Sequence, residues 1–135
     1  MKDVCDQVIA SYHRCRQSSA FFDTFYDIFL GKSPEITAKF AHTDFARQKQ
    51  MLRESLFEML NFYSRIESVR EEIEHLGEVH YKREVRAEHY EQWLDALCEA
   101  VARHDPEYRD DLGEMWREAM RPGIAMMLSI KEGFA

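Results

Sequence analysis

The chain has 135 residues, 45% hydrophobic and 13% aromatic, a composition that predicts one globular domain and excludes a disordered segment. A formal charge of −7 with no long basic run argues against nucleic acid and anionic membrane as partners. No apolar run approaches membrane length and no leader is expected, while three cysteines at unpaired spacings predict free thiols in a reducing, cytoplasmic setting.

Only five glycines and three prolines punctuate the sequence, and strand-like alternation is absent, so the fold class is all-α, about seven helices. A first helix is expected from about Asp3 to Arg16, with Ser18 or Ser19 capping the next. That second helix, AFFDTFYDIFL, sets Phe22, Phe25, Tyr26 and Phe29 on one face and closes at Gly31. SPEITAKF predicts a short helical turn led by Pro34. Thr43 or Asp44 caps a long helix to about Tyr63, with Phe45, Gln48, Leu52, Leu56, Met59 and Tyr63 facing inward. The next stripe is Ile66, Val69, Ile73, Leu76 and His80, broken by YKRE; another from about Ala87 to Arg103 carries Tyr90, Leu94, Leu97 and Val101. Leu112, Trp116, Met120, Ile124 and Met127 mark the last helix, expected to bend at Pro122-Gly123.

Tyr26, Gln48 and His80 interrupt apolar stripes on three helices. Each has a plain explanation: Tyr26 gives its hydroxyl to a carbonyl, Gln48 reaches water from the stripe edge, and His80 is a satisfied core residue. Burying such a group unpaired costs about 1–3 kcal/mol, so three together suggest a shared polar object inside the bundle. A di-iron centre needs two Glu-x-x-His pairs, and only Glu72 with His75 supplies one. Zinc needs three or four clustered ligands. One histidine suits a macrocycle that brings its own equatorial ligands, which is haem, and the nine phenylalanines suit a flat apolar slot.

The ordered set of motifs resembles the bacterial single-domain globins and the globin domain of flavohaemoglobins. FYDIFLGKSPEITAKF is similar to the family's second helix and proline-led turn, with Tyr26 eight residues before Pro34 and Phe40 six after it. HLGEVHYKREVRAEHYEQWLDAL resembles the proximal segment, His80 being followed by Val85 and Tyr90 at five and ten residues. EMWREAM, around Trp116, answers the family's last helix.

The resemblance implies a globin fold, a three-over-three helical sandwich over residues 1–135 around haem b. It implies His80 as the iron ligand, Phe40 stacked on the porphyrin, Tyr26 and Gln48 as distal hydrogen-bonding groups, and Leu52 as apolar wall. Val85 borders the ring, and Tyr90 with Glu132 bonds the outer nitrogen of His80. Reversible binding of dioxygen, carbon monoxide and nitric oxide follows as the leading expectation, at an iron with an open or openable sixth position. Nitric oxide dioxygenation or peroxidase-like turnover is expected to require a separate reductase, since these 135 residues carry no flavin or nicotinamide motif. A gas sensor and a haem-free helical interaction module are the remaining alternatives. Monomer and homodimer stay open, as does a methionine or Lys49 as resting sixth ligand. His42 and Lys49 are candidates for a haem carboxylate, and His13, His42, His89 and His104 are expected in solvent. Cys98 and Met127 are expected in the core.

Overall fold

The structure, a computed structural model, describes residues 3–63 and 69–133, with side chains to residue 130. Seven helices follow in order: α1 (Val4–Cys15), α2 (Phe21–Leu30), α3 (Pro34–Lys39), α4 (Phe45–Tyr63), α5 (Arg70–Lys82), α6 (Ala87–His104) and α7 (Asp110–Gly133). Ile66, expected on the fifth stripe, lies outside the described residues. Among the described residues, no helix is long and apolar enough to cross a membrane.

Local chemistry sets most of the boundaries. Asp3 caps α1 by accepting from the Asp6 amide at 2.8 Å, and Ser33 caps α3 by accepting from Ile36 at 3.2 Å, ahead of Pro34. Asp44 does the same for α4, taking the Ala46 amide at 3.1 Å. The expected serine cap of α2 is replaced: the cap residue is Ala20, whose amide bonds Ser18 Oγ at 3.2 Å from outside the helix. α5 ends in a Schellman motif. The amides of Glu84 and Val85 return to the carbonyls of Tyr81 and His80, both at 3.0 Å, and Glu84 holds φ at 60° where glycine is usual.

Two layers, α1, α4 and α5 against α2, α6 and α7, bury the apolar stripes between them. α7 packs on α1, α4, α5 and α6 and is helical straight through Pro122. Small residues permit the closest crossings: a Cβ on Gly77 of α5 would lie 3.0 Å from the Cα of Met127. Trp116, Phe21 and Phe25 are wholly buried, each side chain contributing about 2–3 kcal/mol by leaving water.

A polar knot ties the ends of α1 and α6 to α7. Asp105, 3% exposed, accepts from Ser11 Oγ at 2.6 Å and from Arg14 Nε at 2.6 Å and Nη2 at 3.0 Å. Trp116 Nε1 donates to Ser11 Oγ at 3.0 Å. Burial alone would raise the Asp105 carboxyl, but the bonds from Arg14, Ser11 and the Glu107 amide outweigh it and hold it below its ordinary value. Cys15 and Cys98 are buried, which pushes their thiols up, to about 12 and about 11.

Candidate functional site

α2 to α6 enclose one large cavity, of about 500 Å³, closed by Ile124 and Met127 of α7. Of the residues singled out by sequence, Tyr26, Phe40, Gln48, Leu52, His80, Val85 and Tyr90 all line it. Glu132 is on α7, but its side chain lies outside the described residues.

The α2–α4 wall is aromatic because the Phe-rich stripe of α2 meets the chain leaving α3. Tyr26 contacts Phe45 and Phe40 with ring centroids 5.5 and 6.0 Å apart, and Phe40 stacks on Phe45 at 6.1 Å. The Tyr26 hydroxyl donates to the main-chain carbonyl of Gln48 at 3.3 Å. Burial pushes the Tyr26 phenol up to about 12, against a smaller opposing pull from Gln48, so it stays a proton donor near neutrality. Lys49 pairs with Asp23, a tie between α4 and α2.

On α5, His80 sits in the last turn because the stripe of Ile73 and Leu76 carries it round to the cavity. Its Nδ1 lies 3.0 Å from the Tyr90 hydroxyl of α6, which leaves Nε2 as the nitrogen free of that bond. Burial, with a smaller contribution from the Arg83 charge, lowers the imidazole to about 4. His80 is therefore neutral at pH 7, the form in which a ring nitrogen can bind a metal. Burial likewise pushes the Tyr90 phenol up.

At the rim, His42 is in solvent as expected, and the cavity is lined by two cations that the sequence did not single out. Lys49 is engaged with Asp23, His42 is exposed, and the cations lining the cavity are Lys39 and Arg83, with Lys39 Nζ donating to the Arg83 carbonyl at 2.8 Å. Lys39 precedes Phe40 and Arg83 lies within YKRE, so proximity to those motifs was the one sequence signal for them. Trp93 and Met51 also line the cavity and carried no signal.

His89 and His104 are not in solvent as expected. His104 Nε2 lies 2.7 Å from Thr24 Oγ1. His89 is 4% exposed, its Nδ1 accepts from the Arg86 amide at 2.9 Å, and Nε2 lies 3.0 Å from Glu35. With Nδ1 accepting, Nε2 carries the ring proton and donates to Glu35. Glu35, Glu88 and His89 approach one another closely enough to suggest a metal. Yet the nitrogen that would bind it is protonated, and the Arg86 guanidinium already bridges both carboxylates, so the cluster is a charge-paired tie between α3 and α6.

Comparison with known proteins agrees with this architecture. A family model, Globin, matches residues 23–127. The chain is also similar to the solved structure of protein PA3967 from Pseudomonas aeruginosa PAO1, described as structurally highly homologous to a human haemoglobin. That match has 39% identity and a TM-score of 0.89, covering 96% of this chain and 98% of the other. Comparison with curated proteins gives no match. The chain belongs to the globin family, and the protein is a haem-binding globin with the all-α globin fold.

The donor set fits that cofactor. An apolar cavity suits a flat macrocycle, one neutral imidazole could supply a single nitrogen ligand, and two rim cations suit its carboxylates.

Proposed function

We propose that this globin binds dioxygen reversibly at a haem b held by His80, with carbon monoxide and nitric oxide as further ligands. The observation that carries the reading is the single cavity shared by His80, Tyr26, Gln48 and Phe40. Haem supplies, when bound, an iron with a coordination position for a diatomic gas.

The residues divide the remaining work. His80 offers the Nε2 lone pair, and its Nδ1 proton is then held on the Tyr90 oxygen, which fixes the tautomer and raises the basicity of the ring. Tyr26 keeps its proton and turns its hydroxyl from the Gln48 carbonyl to the gas ligand, a charge-assisted bond worth about 1.5–3 kcal/mol that mainly slows release. The Gln48 amide is a second donor. Phe40 and Leu52 would exclude water beside the ring, Val85 would border it, and Lys39 and Arg83, which line the same cavity, would be the cations for its carboxylates. Nitric oxide dioxygenation with an external reductase is the second reading, favoured by the His80–Tyr90 bond, because a more basic imidazole enriches the iron.

The test is the visible spectrum of the purified protein, oxidised, reduced, and reduced under oxygen and under carbon monoxide. Soret bands that move with each gas are expected. His80→Ala should lose stable haem binding unless imidazole is added. Tyr26→Phe should release oxygen at least about tenfold faster. An unchanged spectrum in the first variant, or an unchanged rate in the second, removes the corresponding assignment.

A further inference from the structure

Away from the haem cavity, α1 and α4 leave a cleft of about 310 Å³ lined by Tyr12, Arg16, Arg53, Glu54, Phe57 and Glu58. Tyr12 is 7% exposed, and its hydroxyl is buried with no hydrogen-bond partner. The Arg53 Nε is buried and unpartnered too, although an Nη of the same guanidinium donates to Gln50 at 2.6 Å. Stacking fixes the arginines in place: Arg16 lies 5.4 Å over the Tyr12 ring and Arg53 4.8 Å over the Phe22 ring. Burial raises the Tyr12 phenol while the charges of Arg16 and Arg53 pull it down, so both guanidinium groups are within electrostatic reach of that hydroxyl. Neither arginine is ion-paired among the described residues.

Two buried donors, one from α1 and one from α4, thus belong to the lining of one cleft and neither is paired with its Glu54 or Glu58 carboxylates, although buried polar groups are normally paired. A hydroxyl and a guanidinium N–H on one lining suit the oxygens of a carboxylate, with the second guanidinium adding charge. Glu54 and Glu58 on the same lining oppose a second negative charge, which disfavours phosphates and dicarboxylates. Phe57 on the lining is 64% exposed, an apolar surface for a hydrocarbon tail.

We propose that the α1–α4 cleft binds a monocarboxylate with an apolar tail, its oxygens accepting from the Tyr12 hydroxyl and the Arg53 Nε–H and its tail lying on Phe57. This site is independent of the gas-binding reading.

The experiment titrates the haem-loaded protein with sodium octanoate, octan-1-ol and sodium sulfate, following amide chemical shifts. Octanoate should give saturable shifts confined to α1 near Tyr12 and to α4 near Arg53 and Phe57. The alcohol, which lacks the charge, and sulfate, which lacks the tail, should bind at least tenfold more weakly. Tyr12→Phe and Arg53→Gln should each weaken octanoate at least fivefold, and Tyr12→Phe alone should not lower Tm when no octanoate is present. No saturable shift at these amides, octanol binding as tightly, or Tyr12→Phe binding unchanged would overturn the proposal in favour of an ordered water. A lower Tm for unliganded Tyr12→Phe would overturn it as well, since the hydroxyl would then already have an internal partner.

Discussion

Acidifying the haem-free protein from pH 7 to pH 5 should cost it about 2 kcal/mol through His80 alone. The folded chain lowers this imidazole from 6.5 to about 4, chiefly by burial and secondarily by the Arg83 charge. The unfolded chain takes up its proton near pH 6.5, whereas the native state refuses it until near pH 4. Between those limits the unfolded state binds more protons, so stability falls as pH falls, and below about 4 the effect is complete. The full window is worth about 3 kcal/mol, of which about 2 is spent by pH 5. His80→Leu supplies the control, because an apolar residue on the same face has nothing to titrate. Asp105 and Glu35, also held below their ordinary values, lose their contributions at lower pH and do so equally in both proteins. Urea unfolding of both proteins at several pH values measures the difference directly. Equal slopes between pH 7 and pH 5 would refute the assigned environment of His80.

Tyr90→Phe removes the 3.0 Å partner of His80 Nδ1; haemin affinity should fall about tenfold or more, and the iron–histidine stretch should move to lower frequency in Raman spectra. Gly77→Ala forces a methyl to within 3.0 Å of the Met127 backbone; helix propensity gives back less than overpacking costs, and chemical denaturation should show a net loss of about 1–2 kcal/mol. Asp105→Asn replaces a carboxylate that accepts from Ser11 and Arg14, and should lower unfolding free energy by about 2–4 kcal/mol. A cost near zero would mean the knot is not coupled to global stability. Glu84→Gly relieves a side chain at φ 60° and should raise unfolding free energy by about 0.5 kcal/mol, visible as a later urea midpoint.

Periodicity is a local property, and it carried every helix and the stripe residues that face the cavity. Tyr26, Gln48 and His80 were legible because a polar residue on an apolar stripe is a local anomaly. The Asp105 knot was not, since Ser11, Asp105 and Trp116 are joined across about a hundred residues and none of them breaks a pattern. The burial of His89 was hidden for the same reason: its Glu35 partner arrives from α3, 54 positions away. Tyr26 bonding the Gln48 main chain could not be read either, because a carbonyl is present at every position and only the helix crossing selects one. Lys39 and Arg83 look like ordinary surface charges until α3 and the end of α5 meet at the rim.

The Schellman corner after α5 closes on the carbonyl of His80 itself, which takes the amides of both Arg83 and Val85. The residue that faces the cavity is therefore also the latch of its helix end, so its backbone cannot be drawn back without opening the loop from Arg83 to Val85. Local opening of that corner would loosen the hold of His80 on a bound prosthetic group, so the stability of one loop is tied to retention of the group. The Val85 amide, although it belongs to a loop, should exchange with solvent deuterium slowly, and more slowly with haem bound than without it.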